Sequence, residues 1–108
     1  MAFLVSAGLL DACVLALLDG EDLYGYLVTQ NIQKAVGVSE STLYPVLRRL
    51  QKDGCLNTYD MAFKGRNRRY YALTDQGAER LTEYRMKWRE FRDTLNQLLL
   101  GGAKDEPN

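Results

Sequence analysis

The apolar positions of this chain fall into four helical periods, broken once by a short stretch that alternates. Leu9, Leu10, Cys13, Val14, Leu17 and Leu18 share one side of a first helix, which Asp19-Gly20 stops. Asp22 is placed to cap a second helix over roughly 23–35, with Tyr24, Leu27, Val28 and Ile32 inward, Gln30, Gln33 and Lys34 outward, and Gly37 as its breaker. Ser39 is an N-cap for a third helix, stapled by Val38 and Leu43, that runs to about Asp53 before Gly54. Pro45 is expected to distort the first turn or two, because it removes the hydrogen bond to the Ser41 carbonyl and leaves the true start of this helix in doubt.

The runs Cys55–Met61 and Arg68–Leu73 are rich in Tyr, Leu and Thr and flank a tip of Lys64, Gly65, Arg66 and Asn67, which predicts a β-hairpin. Thr74, followed by Asp75, caps a long fourth helix that reaches about Leu100, where Gly101-Gly102 ends it. The fold class is therefore mainly α (α+β): a winged helix-turn-helix with a two-stranded β wing and a long C-terminal helix. Residues 1–74 are assigned to the winged-helix domain, 75–100 to a C-terminal dimerisation helix and 101–108 to a disordered tail.

Total charge says little, since the 14 basic and 14 acidic side chains cancel, but their distribution says more. Residues 1–39 carry one lysine against four acids, whereas residues 40–71 carry seven cations against three acids. A nucleic acid responds to such a patch and not to the sum. On a wheel of about 100° per residue, Leu43, Val46, Leu47 and Leu50 of the third helix face inward, while Ser41, Pro45, Arg48 and Lys52 face outward with Tyr44 and Arg49 on the flanks.

Arg48, Arg49 and Lys52 can neutralise phosphates or reach guanine edges, and Ser39, Ser41, Thr42 and Tyr44 supply hydroxyls at the end of the helix that usually approaches bases. Taken alone, this face reads as ordinary solvated charge; the second basic cluster at Lys64, Arg66 and Arg68 turns the reading toward double-stranded DNA. One of Arg68 and Arg69 is expected to lie along the sheet and pair with an acid, and Tyr70 and Tyr71 read as sheet and core residues.

Leu81, Tyr84, Trp88, Phe91, Leu95 and Leu98 are spaced 3, 4, 3, 4, 3, a heptad seam too long to leave in water. Arg80, Arg85, Lys87 and Arg92 flank it, so a parallel pair of these helices would oppose like charges. The acidic, apolar first helix is the better partner, which predicts a homodimer with Leu10, Val14 and Leu17 of one copy against the seam of the other. The competing arrangement folds the fourth helix back onto its own domain.

Catalysis has little to work with. The chain has no histidine, no metal-ligand cluster, no phosphate loop after a strand, and Cys13 and Cys55 lack an activating base. No metal or cofactor is expected, no segment suits a membrane span, and the two cysteines suit a reduced, cytoplasmic setting. The opening MAFLVSAGLLDACVLALL lacks a basic n-region and carries Asp11, so it reads as a core helix and not a signal peptide.

Several segments together resemble the PadR-like transcriptional regulators, in particular short members with a single C-terminal helix. They are GLLDACVLALL, DLYGYLVTQ, SESTLYPVLRRLQKDGCL, GRNRRYYALTDQG and the Trp-bearing helix that follows. The resemblance implies a homodimeric, usually repressing regulator on a pseudopalindromic operator, with Tyr24 and Gly25 close to the DNA backbone. The residues themselves equally allow a core role for Tyr24 and close helix packing for Gly25. It also implies an interface able to enclose planar aromatic compounds, with Trp88, Phe91 and Leu17 as candidate effector contacts, against plain interface packing for Trp88. A winged-helix protein-interaction module without specific DNA binding is the alternative function.

Overall fold

The first and last helices begin where a capping side chain meets an apolar period. In a computed structural model, which describes residues 6–101, the order is α1 (Ala7–Leu17), β1 (Leu23–Tyr24), α2 (Gly25–Val36), α3 (Glu40–Lys52), β2 (Leu56–Phe63), β3 (Arg66–Leu73) and α4 (Asp75–Leu100). Ser6 caps α1 by accepting from the Leu9 N–H at 3.2 Å, and Thr74 caps α4 by accepting from the Gly77 N–H at 3.0 Å. Apart from Gly101, the tail assigned to 101–108 lies outside the described residues, as does the start of the chain before Ser6.

The second helix corrects its expected start. Tyr24, not Asp22, occupies the N-cap of α2, because Leu23 and Tyr24 are extended and pair with Tyr71 and Tyr70. The Asp22 carboxylate instead accepts from the Tyr59 hydroxyl at 2.7 Å. The wing is accordingly one part of a three-stranded antiparallel sheet in the order β1-β3-β2. Leu27, expected inward, is on the surface; Val28, Thr29 and Ile32 form the buried face of α2. The buried Thr29 hydroxyl donates to the Tyr26 carbonyl at 2.9 Å, which removes the cost of enclosing it.

Pro45 does not delay α3, which runs unbroken from Glu40 with Ser39 at the N-cap position. The proline is exposed, so its ring is accommodated on the solvent side. Leu43, Val46, Leu47 and Leu50 turn inward against Leu10, Val14, Leu15 and Leu18 of α1 and Val28 and Ile32 of α2, and these side chains make the core. The hairpin closes through Lys64 (φ 51°) and Gly65 (φ 79°), two left-handed residues in a two-residue turn that holds Phe63 opposite Arg66. Arg66 and Asn67 thus belong to β3 and not to the tip.

Helix α4 starts against the core and then leaves it. Gly77 sits so close to the hairpin base that a Cβ there would collide with the Cys55 carbonyl oxygen. Leu81 is buried and Tyr84 is half-buried, but most residues beyond are exposed. The resulting extents are 67 × 29 × 20 Å with a radius of gyration of 16.9 Å. A compact domain of similar length has about 13 Å, so α4 projects as an arm.

Candidate nucleic-acid interface

The outer side of α3 is as its sequence pattern requires: Ser41, Thr42, Pro45, Arg48 and Lys52 are exposed. The Ser39 hydroxyl makes no cap bond to the backbone and lies 2.9 Å from Ser41 Oγ and 3.1 Å from Thr42 Oγ1, which gathers three hydroxyls at the start of the helix. Gln30 donates to Glu40 at 2.9 Å and ties α2 to that same end.

The candidate cations divide into two sets. Arg48, Lys52, Lys64, Arg66 and Arg68 have no acidic partner among the described residues. Arg49 belongs to the other set: its guanidinium is bidentate on Asp11 of α1, at 2.6 and 2.9 Å. The Asp11 carboxylate holds the Arg49 guanidinium above its usual range, and the pair directs it away from the outer face. Arg69 is held by Asp60 at 3.4 Å, so it is the arginine of the neighbouring two that lies along the sheet. Arg68 is stacked, its Cζ 4.2 Å from the Tyr24 ring centre and 3.9 Å from that of Phe63.

Three elements then converge. Tyr24, Gly25 and Tyr26 at the start of α2, Tyr44 on α3, and Asn67, Arg68, Arg69 and Tyr71 on β3 line one open polar cavity of about 440 Å³. Four candidates (Tyr24, Gly25, Tyr44 and Arg68) are therefore together. Asn67, Arg69 and Tyr71, which sequence reasoning left out of the site, stand beside them. Their signal was available in the period-2 spacing of β3, which puts residues 67, 69 and 71 on one face. Burial raises the Tyr71 phenol, while Arg69 and Arg48 pull it back down.

The candidate dimer residues also separate. Leu10, Val14 and Leu81 are inside the protomer core, so they do not lie on a face that a second copy can cover. The acidic side of α1 is likewise engaged within the chain: Asp19 meets Arg85 at 3.3 Å, and Asp11 accepts from the Tyr84 hydroxyl at 3.3 Å. The first half of α4 thus packs on its own α1, where a partner's helix was expected. Trp88, Phe91 and Leu98 remain exposed, joined by Met86, Leu99 and Leu100, while Leu95 is half-buried.

Two shallow clefts of about 230 and 290 Å³ lie between α1 and α4, and Leu9, Ala12, Tyr84 and Trp88 line both. Phe91 lines the smaller, its ring centre 6.3 Å from that of Trp88. Leu17, expected as their neighbour, is instead in a separate cleft with Ile32 and Val36. Cys13 and Cys55 are free thiols, both raised by burial. Among the described residues no helix is long and apolar enough to cross a membrane.

A helix-turn-helix with its second helix outward, a three-stranded sheet ending in a wing and a projecting C-terminal helix define a winged helix-turn-helix protein. The chain matches the transcriptional regulator PadR-like family over residues 14–83 and belongs to that family. It is similar to a transcriptional regulator of Mycobacterium tuberculosis, 38% identical over 82 residues that cover 75% of this chain and 73% of the relative. A crystal structure of a Streptococcus mutans protein is 39% identical with a TM-score of 0.87, covering 94% of this chain and 95% of the other. That of a PadR-like transcriptional regulator from Bacillus cereus is 36% identical with a TM-score of 0.78, covering 85% and 92%. This family consists of transcriptional regulators, and the chain is one of them, not an enzyme.

Proposed function

We propose that the protein is a sequence-specific DNA-binding repressor that acts in the cytoplasm as a homodimer on a pseudopalindromic operator. The observation that carries this reading is the convergence of α2, α3 and β3 on one polar cavity, with Arg48 and Lys52 on α3 and Lys64 and Arg66 on the wing left without an acidic partner among the described residues. Uncompensated cations on a helix and a wing give both phosphate attraction and base contacts, whereas a protein-binding surface has no need to leave them unpaired.

Dimerisation follows from the distal part of α4. Trp88 and Phe91 are 46% and 56% exposed, and Leu98, Leu99 and Leu100 are 65% or more, a run of apolar surface that a second copy covers. A planar aromatic effector would enter between α1 and α4 beside Trp88, where the clefts are apolar and change shape if α4 shifts.

Fluorescence anisotropy tests the reading with a duplex from upstream of the protein's own gene and a scrambled duplex of the same length at moderate salt. Tighter binding to the former is expected. Equal affinity for both removes specific regulation, and no binding to either removes DNA as the partner.

A further inference from the structure

Three helices meet at one buried carboxylate. Asp11 of α1 accepts from Arg49 of α3 at 2.6 and 2.9 Å, and from the Tyr84 hydroxyl of α4 at 3.3 Å. Arg49 alone satisfies both oxygens of Asp11, and the Tyr84 bond is the longest of the three. That bond can therefore be given up without orphaning the buried acid. Burial and the Asp11 charge hold the Tyr84 phenol above its usual range, so it remains a donor.

Helix α4 is also pinned to the end of α3. The carbonyl of Asp53, the C-cap of α3, accepts from Gln76 at 3.0 Å, its carboxylate meets Arg80 at 3.4 Å, and the Gly54 carbonyl accepts from Thr74 at 2.7 Å. Tyr84 lies about one turn beyond Arg80 and Trp88 about one turn further. The two clefts that Tyr84 and Trp88 line open between α1 and α4, past the pinned end. An occupant wedged there pushes α4 away from α1 about the Asp53 end. Two contacts resist it. The Asp19–Arg85 pair is exposed on both sides and holds weakly, which leaves the more sheltered bond from Tyr84 to Asp11.

We propose that Tyr84 and Asp11 are positioning residues of α3: through the Arg49 guanidinium they set where that helix stands on α1, and an occupant of the α1–α4 cleft that draws Tyr84 from Asp11 shifts it. The consequence for DNA rests on the regulator reading, whereas the coupling itself lies within one protomer. Arg48 turns outward from α3 beside the residue that Asp11 holds, and Ser41 and Lys52 are exposed on the same helix. A shift of α3 displaces these side chains together from base edges. It leaves the general attraction of cations for phosphates nearly as it was, so its effect is on preference between sequences.

The test begins with Tyr84→Phe in the full chain, which keeps the ring and removes the donor. Heteronuclear NMR is expected to show displaced resonances for the Arg49 side-chain nitrogens and for the backbone amides of Arg48–Lys52. Ala12 lines both clefts, so Ala12→Phe places a ring where an occupant would sit. It is expected to displace the same α3 resonances, and to add nothing in the Tyr84→Phe background. Anisotropy should show about a fivefold loss on the upstream duplex for each single variant, a smaller loss on the scrambled duplex, and no further loss in the double variant. Ala12→Leu, a smaller wedge, carries the test if Ala12→Phe folds poorly.

Resonance changes confined to α1 and α4 in Tyr84→Phe, with the wild type still preferring the upstream duplex, overturn the coupling and leave the regulator reading intact. Additive losses from Ala12→Phe and Tyr84→Phe also overturn it, because the cleft then acts by another route. If the α3 resonances move as expected but the wild type binds both duplexes alike, the coupling stands and specific regulation falls. If neither the resonances move nor a duplex is preferred, both fall.

Discussion

The Arg49 guanidinium grips both carboxylate oxygens of Asp11, at 2.6 and 2.9 Å, and so joins α3 to α1 from a position next to Arg48, which has no acidic partner among the described residues. The two partners are unequally wet: the Arg49 side chain is 41% exposed and that of Asp11 is 7%. Removing either end therefore leaves a different residue stranded. Arg49→Ala leaves a buried carboxylate with only the Tyr84 hydroxyl at 3.3 Å and is expected to cost about 3–5 kcal/mol. Asp11→Ala leaves an arginine that water can reach and a Tyr84 hydroxyl without its acceptor, at a cost of about 1–3 kcal/mol. Urea unfolding of the two variants checks the order; equal losses would mean that the pair contributes only through packing.

Arg48 gives the opposite pattern. It is exposed and makes no ion pair among the described residues, so Arg48→Ala should change unfolding free energy by no more than about 0.5 kcal/mol. Its loss is expected to weaken operator binding by about 1–3 kcal/mol. Anisotropy and urea unfolding on the same preparation make the comparison. Unchanged affinity would remove Arg48 from the reading face.

Much of this arrangement was legible in the residues and some was not, for identifiable reasons. Ser39, Thr74 and the leucines of α3 announce themselves because a cap and a 3.6-residue period are local signals. Strand β1 has only Leu23 and Tyr24, too short to carry a period, and its pairing with Tyr71 and Tyr70 moved the cap of α2 from Asp22 to Tyr24. Asp11 and Arg49 are 38 positions apart, so no window along the chain shows that one candidate DNA contact is held by a core acid. The acidic side of α1 does attract the basic α4, as the charges suggested, but the contacts that form, Asp19 with Arg85 and Asp11 with Tyr84, are within one chain.

At the wing, Lys64 takes a left-handed conformation (φ 51°) that costs a side chain with a Cβ, while Gly65 takes its own at no such cost. Lys64→Asn supplies the residue that best tolerates the first position of this turn. It is expected to raise stability by up to about 1 kcal/mol while weakening DNA binding and lowering the log–log salt slope by about one for each lost phosphate contact. A more stable protein with a shallower slope is the expected pair of results. An unchanged slope would place Lys64 away from the backbone.

Gly77 sets how closely α4 approaches the base of the hairpin. A Cβ there would collide with the Cys55 carbonyl and come within 2.7 Å of Leu73 Cδ1, and the carbonyl is fixed because it accepts from the Thr74 N–H at 3.1 Å. Gly77→Ala must therefore displace α4 itself. A loss of at least about 2 kcal/mol, or about 10 °C in melting temperature, is expected. Melting within a degree or two of wild type would show that the start of α4 yields freely.

Trp88 separates folding from assembly. It stands half in water, 46% exposed, beyond the point where Leu81 and Tyr84 anchor α4 to the core, so truncating it leaves the winged helix intact. In a dimer its remaining exposed ring surface, roughly 100 Å², would be covered once in each protomer, worth about 2–3 kcal/mol per copy. Trp88→Ala is then expected to raise the dimer dissociation constant by at least about a hundredfold, with little change in the circular dichroism spectrum. Sedimentation equilibrium measures this directly. On the proposed reading, in which operator affinity rests on two linked half-sites, the same variant should bind a full operator almost as weakly as a half-site. A Trp88→Ala protein that sediments as the wild-type dimer would move the interface off the distal face of α4.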